Sequence, residues 1–306
     1  MVKTSVATVG LVVSLASWVV SARPVTAQTT DPHAGHAQEA PAARPAAPGP
    51  QNEALPPSEE AAKDALNKSP RHGEWADVKV PGEAQTIRAW VVYPERKDKA
   101  PVVIVIHEIY GLTDWIRGVA DQLAEDGFIA IAPDLVCGKG PNGGCTDSAA
   151  TRDDVVKMVR GLTPDEATAR LNAVREYGAA LPSANGKSAT VGYCWGGSTS
   201  FAYATAQPAL NAAVVYYGSS PADASKLGSI KAPVLGLYGG DDARVNATIE
   251  PAAAEMKKLG KVYETFIYEG AGHGFLRQQS GRDGANLRAT EQAWPTTVAF
   301  LRKYLK

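Results

Sequence analysis

From Trp75 onward the apolar residues fall into two recurring patterns, and their order predicts an α/β fold. Gln85 to Tyr93 alternates, with Ile87, Ala89, Val91 and Tyr93 on one side, the period of a strand with one covered face. Val102 to Ile106 is instead an unbroken apolar run, as expected of a strand covered on both faces. A helix follows over Asp114 to Glu125, with Gly127 as its C-cap. The alternation continues with strand Phe128 to Ala132, helix Asp165 to Ala180, strand Ala189 to Tyr193 and helix Trp195 to Ala206. Strands at Ala212 to Tyr217, Val234 to Tyr238 and Tyr263 to Tyr268 complete the sheet, with helices at Ile249 to Leu259 and Asn286 to Tyr304. This order predicts a mainly parallel sheet with helices on both faces. Ligands of such folds bind at the carboxyl ends of the strands.

The N-terminal region reads differently. Lys3 precedes an apolar run from Val6 to Val20, and Val25-Thr26-Ala27 places small residues where a signal peptidase needs them. Residues 1–27 therefore read as a signal peptide, with an earlier cleavage option at Ala22. The alternative is an uncleaved anchor over Thr4 to Ala22, diluted by Thr, Ser and Gly. Export to the periplasm or the medium is expected, with no membrane association after cleavage. Residues 28–70 read as a disordered Ala/Pro-rich linker, with a short helix over Glu59 to Asn67 leading into a domain at 71–306. His33 and His36 lie in that linker and read as solvated residues rather than metal ligands.

Composition narrows the function. The 306 residues carry 31 Lys and Arg against 32 Asp and Glu, so no basic surface argues for nucleic acid. In an oxidising compartment close thiols pair. Cys137 and Cys145 flank a Gly-rich stretch and are the disulfide candidates, which sets Cys194 apart from them.

Cys194 lies in Gly192-Tyr193-Cys194-Trp195-Gly196-Gly197, the form of the nucleophile elbow G-x-S-x-G with cysteine in place of serine. A tight strand-to-helix turn needs neighbours without side chains, and a helix N-terminus favours a thiolate. The Trp195 amide is then placed to donate to an oxyanion, with the Trp195 ring expected at the lip of the pocket. Asp242 follows the strand Val234 to Tyr238 in a Gly-rich turn, with Asp241 as the lesser alternative. His273 sits in Gly270-Ala271-Gly272-His273-Gly274-Phe275 after the strand Tyr263 to Tyr268. Each alone reads as a loop residue. Together their order, nucleophile then acid then base, is that of α/β-hydrolases. His107-Glu108-Ile109-Tyr110-Gly111 follows the buried strand ending at Ile106, so the Ile109 amide is the second oxyanion donor and Glu108 reaches toward the thiol.

These motifs together closely resemble the dienelactone hydrolase (carboxymethylenebutenolidase) family, over about Val78 to Leu305. The resemblance implies a Cys194-His273-Asp242 triad with Glu108 as a gate on the thiol. It implies a small ester or lactone substrate bearing a carboxylate held by Arg277, with Arg152 among the candidates for a second arginine. It implies neither metal nor organic cofactor. A broader esterase or thioesterase is the alternative on the same scaffold. A redox-sensing thiol protein is the alternative of another class, and it leaves Asp242 and His273 without a role.

Overall fold

The computed structural model describes residue 1 and residues 52–306. The expected signal peptide beyond Met1, and the linker through residue 51, lie outside the described residues.

Eight strands form one sheet. They are β1 (Gly73–Lys79), β2 (Thr86–Val92), β3 (Ala100–Ile106), β4 (Ile129–Pro133), β5 (Ala184–Tyr193), β6 (Ala212–Tyr216), β7 (Val234–Gly239) and β8 (Tyr263–Tyr268). Their order is β1-β2-β4-β3-β5-β6-β7-β8, antiparallel at β1/β2 and β2/β4 and parallel elsewhere. The helices are α1 (Ala62–Lys68), α2 (Asp114–Glu125), α3 (Arg152–Arg160), α4 (Pro164–Ala180), α5 (Trp195–Ala206), α6 (Ala243–Asn246), α7 (Ile249–Lys258) and α8 (Ala285–Tyr304). No helix among the described residues is long and apolar enough to cross a membrane.

The sequence pattern accounts for most of these elements. All seven residues of β3 are buried, as its unbroken apolar run requires. The helix α4 opens on a capping box, in which the Thr163 side chain accepts from the Glu166 amide and the Glu166 side chain accepts from the Thr163 amide. Register then sets the site: Ile106 lies beside Gly192, and Tyr193 beside Tyr216. The loops after β3, β5 and β6 therefore leave the sheet side by side.

Residues 55–70, expected within a disordered linker, are ordered against the domain. Leu55, Pro56, Pro57 and Ser58 are buried. The Trp115 indole donates to the Pro57 carbonyl at 3.0 Å, and α1 packs on α2. Gly118 makes the approach possible, because a Cβ there would lie 2.7 Å from Pro57 Cγ. One leucine, two prolines and a buried Ala62 are enough to dock the segment, and prolines lose little entropy on ordering. The domain therefore begins well before residue 71.

Cys137 and Cys145 are joined in a disulfide, as expected, and Cys194 lies outside it. The next residue, Thr146, ties this loop to its surroundings. Its amide and hydroxyl both donate to the Asp134 carboxylate, at 2.8 and 2.9 Å, while its oxygen accepts from the Leu112 amide at 3.1 Å. The disulfide loop thus braces the segment that follows β3. Replacing both cysteines, as Cys137→Ser with Cys145→Ser, should lower stability in urea by about 2–3 kcal/mol, the loop-closure value for so short a ring. Equilibrium denaturation of the two proteins without reductant measures it.

Candidate active site

Cys194 stands at the end of β5 as the N-cap of α5, with φ 55° and ψ −116°. A residue with a side chain is strained there, and the surroundings enforce the conformation. A Cβ on Gly192 would lie 1.9 Å from the Gly196 carbonyl oxygen, and one on Gly196 would lie 2.3 Å from that of Ile106. The Cys194 amide donates to the Tyr216 carbonyl at 3.1 Å, and the Cys194 carbonyl accepts from Ser198 at 3.1 Å. The elbow expected from the glycine spacing is therefore formed, with Cys194 at its apex.

Asp242 leaves β7 as the N-cap of α6. The acid loop and the histidine loop touch through glycine: a Cβ on Gly239 would lie 2.5 Å from the Gly272 carbonyl oxygen. This contact sets His273 Nδ1 at 2.5 Å from Asp242 Oδ2. A carboxylate only accepts, so Nδ1 carries the proton and Nε2 is left for the thiol. Asp241 instead faces outward in an ion pair with Arg282 at 2.8 Å, which settles which of the two aspartates meets the histidine. The histidine loop is braced further by buried Asn286, whose side chain accepts from the Gly272 amide at 3.0 Å and donates to the Gln278 carbonyl at 2.7 Å.

Electrostatics follow from this geometry. Burial works against a charged His273, but hydrogen bonds to Asp242 and Cys194 outweigh it and raise its pKa to about 10. Burial likewise opposes ionisation of Asp242, yet His273 holds its carboxyl below the usual range. The tall aromatic wall behind the histidine includes Tyr217, whose ring meets His273 edge-on at 5.1 Å.

The loop after β3 is locked by His107. Its Nε2 accepts from the Leu135 amide at 3.3 Å, so its Nδ1 donates to the Glu108 carbonyl at 2.7 Å. The Trp195 ring stacks on His107 at 5.4 Å and is buried, which corrects its expected place at the pocket lip. The apolar core claims the ring because the backbone turn points it down against that imidazole. Trp195 opens α5 directly after Cys194, and Ile109 is buried in the loop after β3.

Glu108 is buried and forms an ion pair with Arg277 Nε at 2.8 Å. Burial pushes its carboxyl up, against the opposing pull of Arg277 and His273. Arg277 is itself buried, and it also pairs with Glu59, which in turn pairs with Arg152. The two arginines expected to receive a carboxylate are thus brought together, and they already share one supplied by the chain. The Tyr110 ring underlies both guanidiniums, at 4.1 Å from Arg152 and 5.4 Å from Arg277.

Three residues of the site were not anticipated. Glu59 lay in the supposed linker. The sequence pattern places Asn286 only at the start of a helix. The sequence pattern makes Tyr217 the last residue of a strand, but it turns out of β6 with φ 39°, and its buried hydroxyl has no hydrogen-bond partner among the described residues. A polar residue directly after a buried strand was the available signal for Tyr217.

A mainly parallel sheet with these loops at its carboxyl edge defines an α/β-hydrolase. Residues 87–305 match the dienelactone hydrolase family, and the chain belongs to it. It is 32% identical over 242 residues to a Salmonella typhimurium protein named "Putative carboxymethylenebutenolidase", covering 74% of this chain and 86% of that one. It is 31% identical over 187 residues to the carboxymethylenebutenolidase of Pseudomonas putida, covering 60% of this chain and 78% of that one. A crystal structure described as a putative dienelactone hydrolase from Klebsiella pneumoniae superposes with a TM-score of 0.67 at 26% identity, covering 76% of this chain and 99% of that one. The protein is accordingly a hydrolase of carboxylic esters.

The raised His273 value has a consequence for stability. Its folded pKa of about 10 lies above the model-compound value of 6.5, so its contribution is complete below pH 6.5 and is lost as pH rises through 10. The urea stability of wild type relative to His273→Asn should therefore shrink steadily between about pH 7 and pH 10.5. A difference that is flat or grows with pH would contradict the charged pairing.

Proposed function

We propose that the protein hydrolyses a small ester or lactone through an acyl-enzyme on Cys194, with His273 and Asp242 completing the triad. The observation that carries this reading is the hydrogen bond between His273 Nδ1 and Asp242, which leaves Nε2 available to a thiol, with Cys194 at the apex of a strained elbow. The Cys194 thiolate attacks the carbonyl carbon and forms the C–S bond. The carbonyl π electrons move to oxygen, where the Ile109 and Trp195 amides stabilise the charge. Collapse breaks the C–O bond, and the leaving alkoxide or enolate takes the His273 proton. His273 then removes a proton from water, which attacks the thioester. Release of the carboxylic acid regenerates the thiolate. Asp242 keeps the imidazole in the tautomer and orientation that this sequence of steps needs.

Glu108 acts in this reading as a buried counter-charge that holds Arg277 beside the thiol. The gate role implied by the family resemblance would require its carboxylate to leave Arg277 and turn to Cys194. Cys194→Ala should abolish turnover of aryl esters, and Asp242→Asn should reduce kcat by about a hundredfold or more, the scale of a mispositioned triad histidine. Mass spectrometry of the intact protein during turnover should show an acyl adduct lost in Cys194→Ala. Unchanged turnover by that variant would sink the proposal.

The export expected from the leader pattern agrees with the Cys137–Cys145 disulfide. Expressed with its own leader in a Gram-negative host, the protein should appear in the osmotic-shock fraction. Retention of uncleaved protein in the cytosol would refute export.

A further inference from the structure

We propose that Glu59 fills the carboxylate subsite formed by Arg152 and Arg277, and so makes the enzyme select uncharged acyl groups over acyl groups that carry a carboxylate. The inference rests on the reading of Cys194 as the nucleophile, and the arginine pair joins that site through Glu108, which pairs with Arg277 and feels the charge of His273.

The geometry is that of a bound anion. One Glu59 oxygen meets Arg152 Nη2 and the other meets Arg277 Nη1, so the carboxylate bridges the two guanidiniums as a substrate carboxylate would. Tyr110 closes the site beneath both cations. Arg277 is 93% shielded from solvent, so a carboxylate that replaced Glu59 would have to supply a buried charge with an equally good partner.

Charge balance points the same way. Two guanidiniums, Arg152 and Arg277, face two carboxylates, Glu59 and Glu108. A third carboxylate would meet no free cation and two like charges. Burial raises the Glu59 carboxyl, but Arg277 and Arg152 overcome it and hold it below the usual range, so Glu59 stays ionised.

Displacing Glu59 would also mean lifting a docked segment. The Glu59 amide donates to the Arg277 carbonyl at 3.0 Å, the Pro57 carbonyl accepts from Trp115 at 3.0 Å, and the Pro56 carbonyl accepts from Gln279 at 2.9 Å. Ala62, at the start of α1, is fully buried. These anchors hold Glu59 at the backbone as well as at the side chain. The device is therefore a fixed filler of the subsite.

The test compares two para-nitrophenyl esters of equal length, the pentanoate and the hemiglutarate, on the full chain, with Cys194→Ala as control. Wild type should favour the pentanoate. Glu59→Gln keeps the size and one acceptor but removes the charge, and it should raise the ratio of kcat/KM for hemiglutarate over pentanoate by about tenfold or more, the worth of a charge-assisted hydrogen bond. Calorimetric titration with free glutarate gives a readout independent of turnover: binding to Glu59→Gln and to Glu59→Ala, and none to wild type. The inference is overturned if wild type prefers hemiglutarate, if the ratio is unmoved by Glu59→Gln, or if glutarate binds wild type as tightly as the variants. Turnover that survives Cys194→Ala would instead overturn the nucleophile assignment, while the glutarate titration still reads Glu59.

Discussion

The site depends on how closely backbone can approach backbone between β3, β5, β6 and α5. Cys194 can occupy its positive-φ apex only because Gly192 and Gly196 leave carbonyl oxygens where side chains would be. The same contact presses the start of α5 against the end of β3, since a Cβ on Gly196 would lie 2.3 Å from the Ile106 carbonyl oxygen. The thiol, the helix N-terminus and the loop carrying Ile109 are therefore one rigid assembly. A second close approach, Gly239 to Gly272, does for acid and histidine what the elbow does for the thiol. Two tight backbone contacts, rather than flexible side chains, set the relative positions of Cys194, Asp242 and His273.

Around this rigid centre lies a layer of buried charge. Arg277 lies between Glu108 and Glu59, so each of these carboxylates has a cation, while Asp242 is paired with His273. Each buried carboxylate thus has a cation in contact, and His273 acts on Glu108 as well as on Asp242. That pairing matters because like charges in low dielectric raise one another's pKa.

The parts of this arrangement that the sequence disclosed are those whose physics is local. Unbroken apolar runs such as Val102 to Ile106 mark buried strands, and the glycines around Cys194 mark a turn with no space for side chains. The strand β1 was missed because only Val78 of its seven residues is buried, which leaves an edge strand with no apolar rhythm. The helix α3 was missed because it is short, nine residues with only Val155, Met158 and Val159 buried. Glu59 was out of reach for a different reason. It pairs with an arginine 218 residues away, and average composition hides the few apolar residues that dock its segment. Arg152 was named without a register, and only the folded chain shows that it shares a carboxylate with Arg277.

The docked N-terminal segment separates two kinds of inheritance. The family match begins at residue 87, and Cys194, Asp242 and His273 lie inside it, whereas Glu59 lies upstream of it. A chain trimmed to that match would keep the elbow, acid and histidine but would lose β1, the Pro57 anchor and the carboxylate facing the two arginines. On the proposed reading, the chemistry lies within the family match, whereas the carboxylate that would tune the choice of acyl group lies outside it.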